Sequence, residues 1–191
     1  MGEKPLTIGV LALQGAFIEH INVLKSLGAD VYEIRQKSDL KARHYDGLVL
    51  PGGESTTQSN LLKKVGLFDE IQRLIEEGMP VLATCAGAIL LSENVVGGER
   101  HLATLPVTIK RNAYGRQLGS FITSGSFGTI ENVPMNFIRA PYFESVNDPE
   151  VKILSKIDDK IVAVQYKNQL AMSFHPEVSE DKRIHKYFLG I

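Results

Sequence analysis

The sequence predicts an α/β fold: a three-layer sandwich whose central sheet is mostly parallel, with helices on both faces and added antiparallel strands. Three observations lead there. Strand-like and helix-like stretches alternate through residues 6–93, the order a parallel sheet needs because its strands are joined by crossovers. The strand-like runs are almost wholly apolar, as strands covered on both faces are. After Thr108 the pattern changes to short β-like pieces separated by turn residues, with little helical period.

Leu6 to Ala12 reads as the first strand. Phe17 to Leu27 carries apolar residues at 17, 18, 21, 24 and 27, a helical stripe, and Gly28 suits its C-cap. Val31–Ile34 and Gly47–Leu50 read as the second and third strands. Helical stretches follow around Leu61 and from Leu67 to Glu77, the latter closed by Gly78. Pro80–Thr84 is a short strand, and a helix runs from about Ala86 to Glu93. Thr108 to Gln165 supplies short strands, a further strand ends at Met172-Ser173-Phe174, and Glu180 to Leu189 forms a closing helix. With no repeat or low-complexity linker, the 191 residues are expected to form one domain. Ligands of such folds bind beyond the carboxyl ends of the parallel strands. The chemistry is therefore expected just after Ala12, Leu50 and Thr84.

The 21 basic and 22 acidic residues nearly cancel, so there is no chain-wide electrostatic case for nucleic acid or an anionic membrane. A single cysteine, Cys85, rules out an internal disulfide and fits a reducing compartment. Met1-Gly2-Glu3-Lys4-Pro5 lacks the charged and apolar regions of a signal peptide. Leu6 stands where a myristoylation pattern wants Ser or Thr. No apolar run approaches the ~18 residues of a membrane span. The expected location is the cytoplasm.

Cys85 lies between a strand and a helix, inside Ala83-Thr84-Cys85-Ala86-Gly87. Small neighbours permit a sharp turn that pushes the thiol outward. A helix N-terminus favours thiolate, the form that attacks a carbonyl. Taken alone, Cys85 reads equally as a buried, inert core thiol.

A base decides between these. Of the five histidines, His44 and His175 have a carboxylate two residues on, Asp46 and Glu177; in extended chain such pairs point the same way. His44 precedes the third strand, at the edge away from the expected site. His175-Pro176-Glu177 follows a strand end. As a lone motif it is an ordinary surface turn. Beside a poised cysteine it makes a relay: Cys85 attacks, His175 moves the proton, and Glu177 orients the imidazole.

Pro51-Gly52-Gly53-Glu54-Ser55 follows the third strand. Paired glycines let backbone N–H groups approach a ligand. Gly53 and Ala86 are the candidate donors to an oxyanion. The plain alternative is a β-to-α turn with Glu54 or Ser55 capping the next helix.

At these residues the chain resembles the class I glutamine amidotransferases, most narrowly the glutaminase subunits that serve pyridoxal 5'-phosphate synthase. The resemblance is carried by Leu11-Ala12-Leu13-Gln14-Gly15, Leu50 to Thr57, Thr84-Cys85-Ala86-Gly87, Arg111-Asn112-Ala113-Tyr114-Gly115-Arg116-Gln117, Phe137-Ile138-Arg139-Ala140-Pro141 and Ser173-Phe174-His175-Pro176-Glu177. It spans nearly the whole chain. One departure is Ala83, where many members have glycine.

The resemblance implies a glutaminase with Cys85, His175 and Glu177 as its triad. It also implies glutamine contacts at Gly52, Gly53, Glu54, Arg111, Ile138 and Arg139. Guanidinium groups suit the substrate's α-carboxylate and Glu54 its α-ammonium. No metal or organic cofactor is expected. The implied partner is a (β/α)8-barrel synthase subunit that receives the ammonia, in an assembly of twelve glutaminases on a twelve-subunit core. Two rivals keep the fold: a cysteine-elbow stress hydrolase or deglycase, and a non-catalytic regulatory module.

Overall fold

The computed structural model describes residues 4–111 and 119–191. Its first half alternates as the apolar runs require. The order is β1 (Thr7–Leu11), α1 (Phe17–Ser26), β2 (Asp30–Ile34), α2 (Lys37–Lys41), β3 (Gly47–Leu50), α3 (Ser55–Lys64), α4 (Phe68–Glu76), β4 (Val81–Thr84) and α5 (Ala86–Leu91). The second half adds β5 (Ser92–Val96), β6 (Leu105–Lys110), β7 (Ser120–Phe127), β8 (Ile130–Ile138), β9 (Tyr142–Val146), β10 (Lys152–Ile157), β11 (Lys160–Tyr166), β12 (Gln169–Met172) and α6 (Arg183–Phe188).

A ten-stranded sheet runs β2-β1-β3-β4-β12-β11-β9-β6-β5, with β10 pairing on β11. The β2 to β12 part is parallel, and β11, β9 and β10 bring the antiparallel pairings. β7 and β8 form a separate two-stranded hairpin. β12 is the second-half strand that matters for the site. It pairs parallel with β4 in the register Met172↔Thr84, so the chain leaves both strands at one rim.

Alternation along each strand feeds two cores. Leu48, Leu50, Val81 and Ala83 face one side, packed with Leu40 of α2, Leu62 of α3, Ile71 and Ile75 of α4, and α5. Val49 and Leu82 face the other, with Ile21 and Leu24 of α1, Ile184 and Phe188 of α6, and Phe137 of the hairpin. A sheet apolar on both faces needs both layers.

Several expected boundaries move. The helix after Cys85 stops at Leu91, not Glu93: the Ser92 hydroxyl donates to Ala88 O at 2.8 Å and the chain turns extended into β5. The strand before His175 ends at Met172, and the closing helix is shorter than Glu180–Leu189. Helix α2 was not expected; a capping box between Gln36 and Asp39 supports it. In α1 the apolar stripe includes Ile18, which is exposed, while His20 takes a buried place. No helix among the described residues is long and apolar enough to cross a membrane.

Candidate active site

Cys85 sits where β4 breaks into α5, at φ 48° and ψ −104°. An L-residue held there costs on the order of 1–3 kcal/mol and is typical of a displayed nucleophile. The turn is pinned from both sides: Cys85 N–H donates to Met172 O at 2.8 Å, and Ile89 N–H returns to Cys85 O at 3.1 Å. Beneath it the helix start crowds β3. A Cβ on Gly87 would lie 2.1 Å from Leu50 O, so the elbow needs glycine there.

His175 is reached two residues beyond Ser173, alongside this turn. Its N–H donates to Asn136 O of β8 at 2.8 Å. Pro176–Val178 then forms a single 3-10 turn, which brings Glu177 back under the ring. Nδ1 of His175 and Oε1 of Glu177 are 2.6 Å apart, with the carboxylate fully buried. His175 and Cys85 line the same cavity, and the electrostatics couple the imidazole to the Cys85 side chain. Of the sequence-predicted relay, His175 and Glu177 are thus in direct contact, and Cys85 shares a cavity wall with His175.

The electrostatics follow. Burial works against a charged His175. It is outweighed by the hydrogen bonds with Cys85 and Glu177 and by their negative charge, which push the ring up to about 10. Burial likewise opposes a charged Glu177, but His20 and the hydrogen-bonded His175 hold the carboxyl below its ordinary value. The structure thus holds a cationic imidazole against a buried carboxylate.

A cavity of about 430 Å³ opens above these groups. It is lined by the predicted Gly52, Gly53, Glu54, Cys85, Arg111, Ile138, Arg139 and His175, together with Ala16, Ser55 and Ile89. That volume is ample for an amino-acid ligand. Glu177 stands behind His175 rather than on the wall, and Ala86 begins α5 beside the thiol. Gly52 packs against the ring, where a Cβ would lie 2.3 Å from His175 Cε1.

The glycine loop is tied down by residues given no individual role from sequence. Gln14 Oε1 accepts from Glu54 N–H at 2.9 Å, and Gln58 Nε2 donates to Gln14 O at 3.0 Å. Ala16 N–H donates to Gly52 O at 3.0 Å. Glu54 does take the capping role offered as the plain alternative. Its Oε2 accepts from the Thr57 backbone and hydroxyl, each at 2.8 Å, while Oε1 pairs with Arg111 Nη2 at 3.1 Å. Partial burial opposes its charge, but the Thr57 hydrogen bonds and then Arg111 keep its carboxyl below the ordinary value. Arg139 is a second strained residue on the wall, at φ 46°.

His44 and Asp46 remain a surface pair at 3.6 Å, with the imidazole 88% exposed. Asp46 instead accepts from Thr7 N–H at the opposite, amino end of the sheet. Asn112 to Gln117, named in the Arg-Asn-x-Tyr-Gly-Arg segment, lie outside the described residues.

Sequence reasoning missed two buried histidines behind the relay. His20 of α1 lies 3.5 Å from Glu177 Oε2 and 2.9 Å from His185 of α6. The available signal was a titratable residue inside an apolar helical stripe.

Comparison with known proteins agrees with this architecture. A model of the SNO glutamine amidotransferase family matches residues 10–190. A curated relative from Desulfitobacterium hafniense, pyridoxal 5'-phosphate synthase subunit PdxT, is 54% identical over 185 residues, covering 96% of this chain and 92% of its own. One of the same name from Methanocorpusculum labreanum is 53% identical, covering 96% of each chain. A crystal structure of a glutamine amidotransferase superposes with TM-score 0.89 at 41% identity, covering 96% of this chain and 97% of that one.

Proposed function

The chain belongs to the SNO glutamine amidotransferase family, and from that premise we propose that Cys85, His175 and Glu177 are the triad with which it hydrolyses glutamine to glutamate and ammonia for vitamin B6 synthesis. The observation that carries the assignment of roles is that His175, held 2.6 Å from a buried Glu177, lines one cavity together with Cys85, Arg111 and Glu54.

Glutamine enters with its α-carboxylate toward Arg111 and Arg139 and its α-ammonium toward Glu54. Ile138, Gly52 and Gly53 bound its side chain. The Cys85 thiolate attacks the side-chain amide carbon; a C–S bond forms and the carbonyl electron pair moves to oxygen. N–H groups of Gly53 and Ala86 receive that oxyanion. His175 gives its proton to the amide nitrogen as the C–N bond breaks, and ammonia leaves a glutamyl thioester. Water then loses a proton to His175 while attacking the thioester, and collapse expels the thiolate and glutamate. Glu177 holds the imidazole in register and balances its charge throughout.

The ammonia passes to a (β/α)8-barrel synthase subunit, in the twelve-plus-twelve assembly implied by the family resemblance. The whole chain works as one amidotransferase domain, in the cytoplasm, and turnover is low until the partner binds. The test is labelling of Cys85 with a glutamine-like electrophile, with and without the synthase, beside ammonia release from glutamine. Labelling and release should both vanish in Cys85→Ala. Release that survives the substitution, or equal turnover with and without the synthase, contradicts the corresponding part.

A further inference from the structure

Behind the relay the interior is polar where an apolar core would be expected. His20, fully buried on α1, touches three elements at once: Nδ1 lies 2.9 Å from Nε2 of His185, and Nε2 lies 3.2 Å from Oγ1 of Thr84 and 3.5 Å from Oε2 of Glu177. Thr84 directly precedes the nucleophile. Oε2 of Glu177 and Nδ1 of His185 are buried without a hydrogen-bond partner.

These contacts select one proton arrangement. Glu177 is ionised and accepts only, so Nε2 of His20 carries the hydrogen that faces it. Burial foremost, and then the charge of His175, disfavour a cationic His20, against the pull of Glu177 and Glu19. Nδ1 of His20 is therefore a bare lone pair, and His185 donates to it from Nε2. What remains unpartnered is a lone pair on His185 Nδ1, the milder defect; the reverse arrangement would strand a buried N–H.

We propose that His20, locked in one tautomer by His185, is a positioning residue for Glu177. It presents Nε2–H to the Oε2 side of the carboxylate. That keeps Glu177 ionised and Oε1 aimed at His175 as the imidazolium forms. The proposal rests on Glu177 being the triad acid.

The test uses the full chain assembled with its synthase. In His20→Leu the carboxylate loses the Nε2–H that lies 3.5 Å from Oε2. The pH at half-maximal Cys85 alkylation by iodoacetamide should then rise by about one unit. kcat for glutamine should fall on the order of tenfold with KM nearly unchanged. His20→Gln, whose amide nitrogen reaches the place of Nε2, should restore most of both. Equal behaviour of the Leu and Gln variants, or an unmoved alkylation profile, would reduce His20 to packing and overturn the inference. Should the Leu variant fail to fold, nitrogen NMR of native His20 decides: hydrogen on Nε2 supports the proposal and hydrogen on Nδ1 overturns it. Loss of activity in Cys85→Ala alongside unaffected His20 variants would sink this inference alone and leave the glutaminase assignment standing.

Discussion

Arg111 and Glu54 are paired across the cavity, guanidinium to carboxylate at 3.1 Å. On the proposed pose each would partner one end of glutamine, and here they satisfy one another. Bound in that pose, substrate would exchange that single contact for two charge-assisted ones. Arg111→Ala should therefore raise KM for glutamine about 10- to 100-fold, a loss of about 1.5–3 kcal/mol typical of a hydrogen bond to a charged group. kcat should change less. Arg111→Lys should recover little, because an ammonium lacks the planar fork. Steady-state kinetics of the assembled enzyme checks both.

Glu177 is buried against His175, and its carboxyl is held below its ordinary value. Glu177→Gln keeps the shape but loses the counter-charge. Where the orienting carboxylate of a triad is replaced by an amide, losses reach ~10⁴ in kcat; a drop on the order of 10²–10⁴ is expected here. Circular dichroism should remain native, and measured turnover above a tenth of wild type would contradict the role.

Gly52→Ala places a Cβ 2.3 Å from His175 Cε1. The ring is held by Glu177 and cannot yield freely, so the imidazole must tilt away from the sulfur. Kinetics should show a kcat loss on the order of 10²-fold, since misplacement of about 1 Å costs that much.

Acid stability should be governed partly by His185. Burial first, with His20 adding and Glu177 opposing, pushes its ring down to about 3 from an ordinary 6.5. Below 6.5 the unfolded chain takes up a proton that the folded ring refuses. Stability is therefore full above that value and falls as pH drops toward 3. At pH 5 this group alone should cost about 2 kcal/mol relative to pH 8. Urea unfolding midpoints across pH 4–8 should flatten in His185→Phe.

His175 runs the other way. With its ring pushed up to about 10, its contribution is fully present below 6.5 and is lost as pH rises through about 10. In Cys85→Ala, which removes one of the two acidic neighbours, that alkaline loss should start at lower pH. Thermal denaturation between pH 7 and 10 reads the difference.

Much of this was legible along the chain because it is local. Three apolar runs with helical stripes between them read as covered strands with crossovers, and the small residues around Cys85 permit a tight turn. Pro176 between His175 and Glu177 limited that segment enough to pair the two side chains. The end of α5 was misplaced because a serine hydroxyl competes for a helix carbonyl only in a particular geometry. His20 was passed over because a helix stripe is read from its apolar members, and His20 is neither apolar nor exposed.

By itself the sequence determined the alternating α/β order and offered a turn at Cys85 and a His175–Glu177 pair, since each depends on neighbours within a few residues. Only the tertiary structure decided that β12 lies parallel to β4 in the register Met172↔Thr84, and that α1 and α6 bring His20 and His185 together behind the acid. Strand register and helix docking are fixed by packing between residues far apart in the chain, and no local pattern encodes which distant surfaces meet.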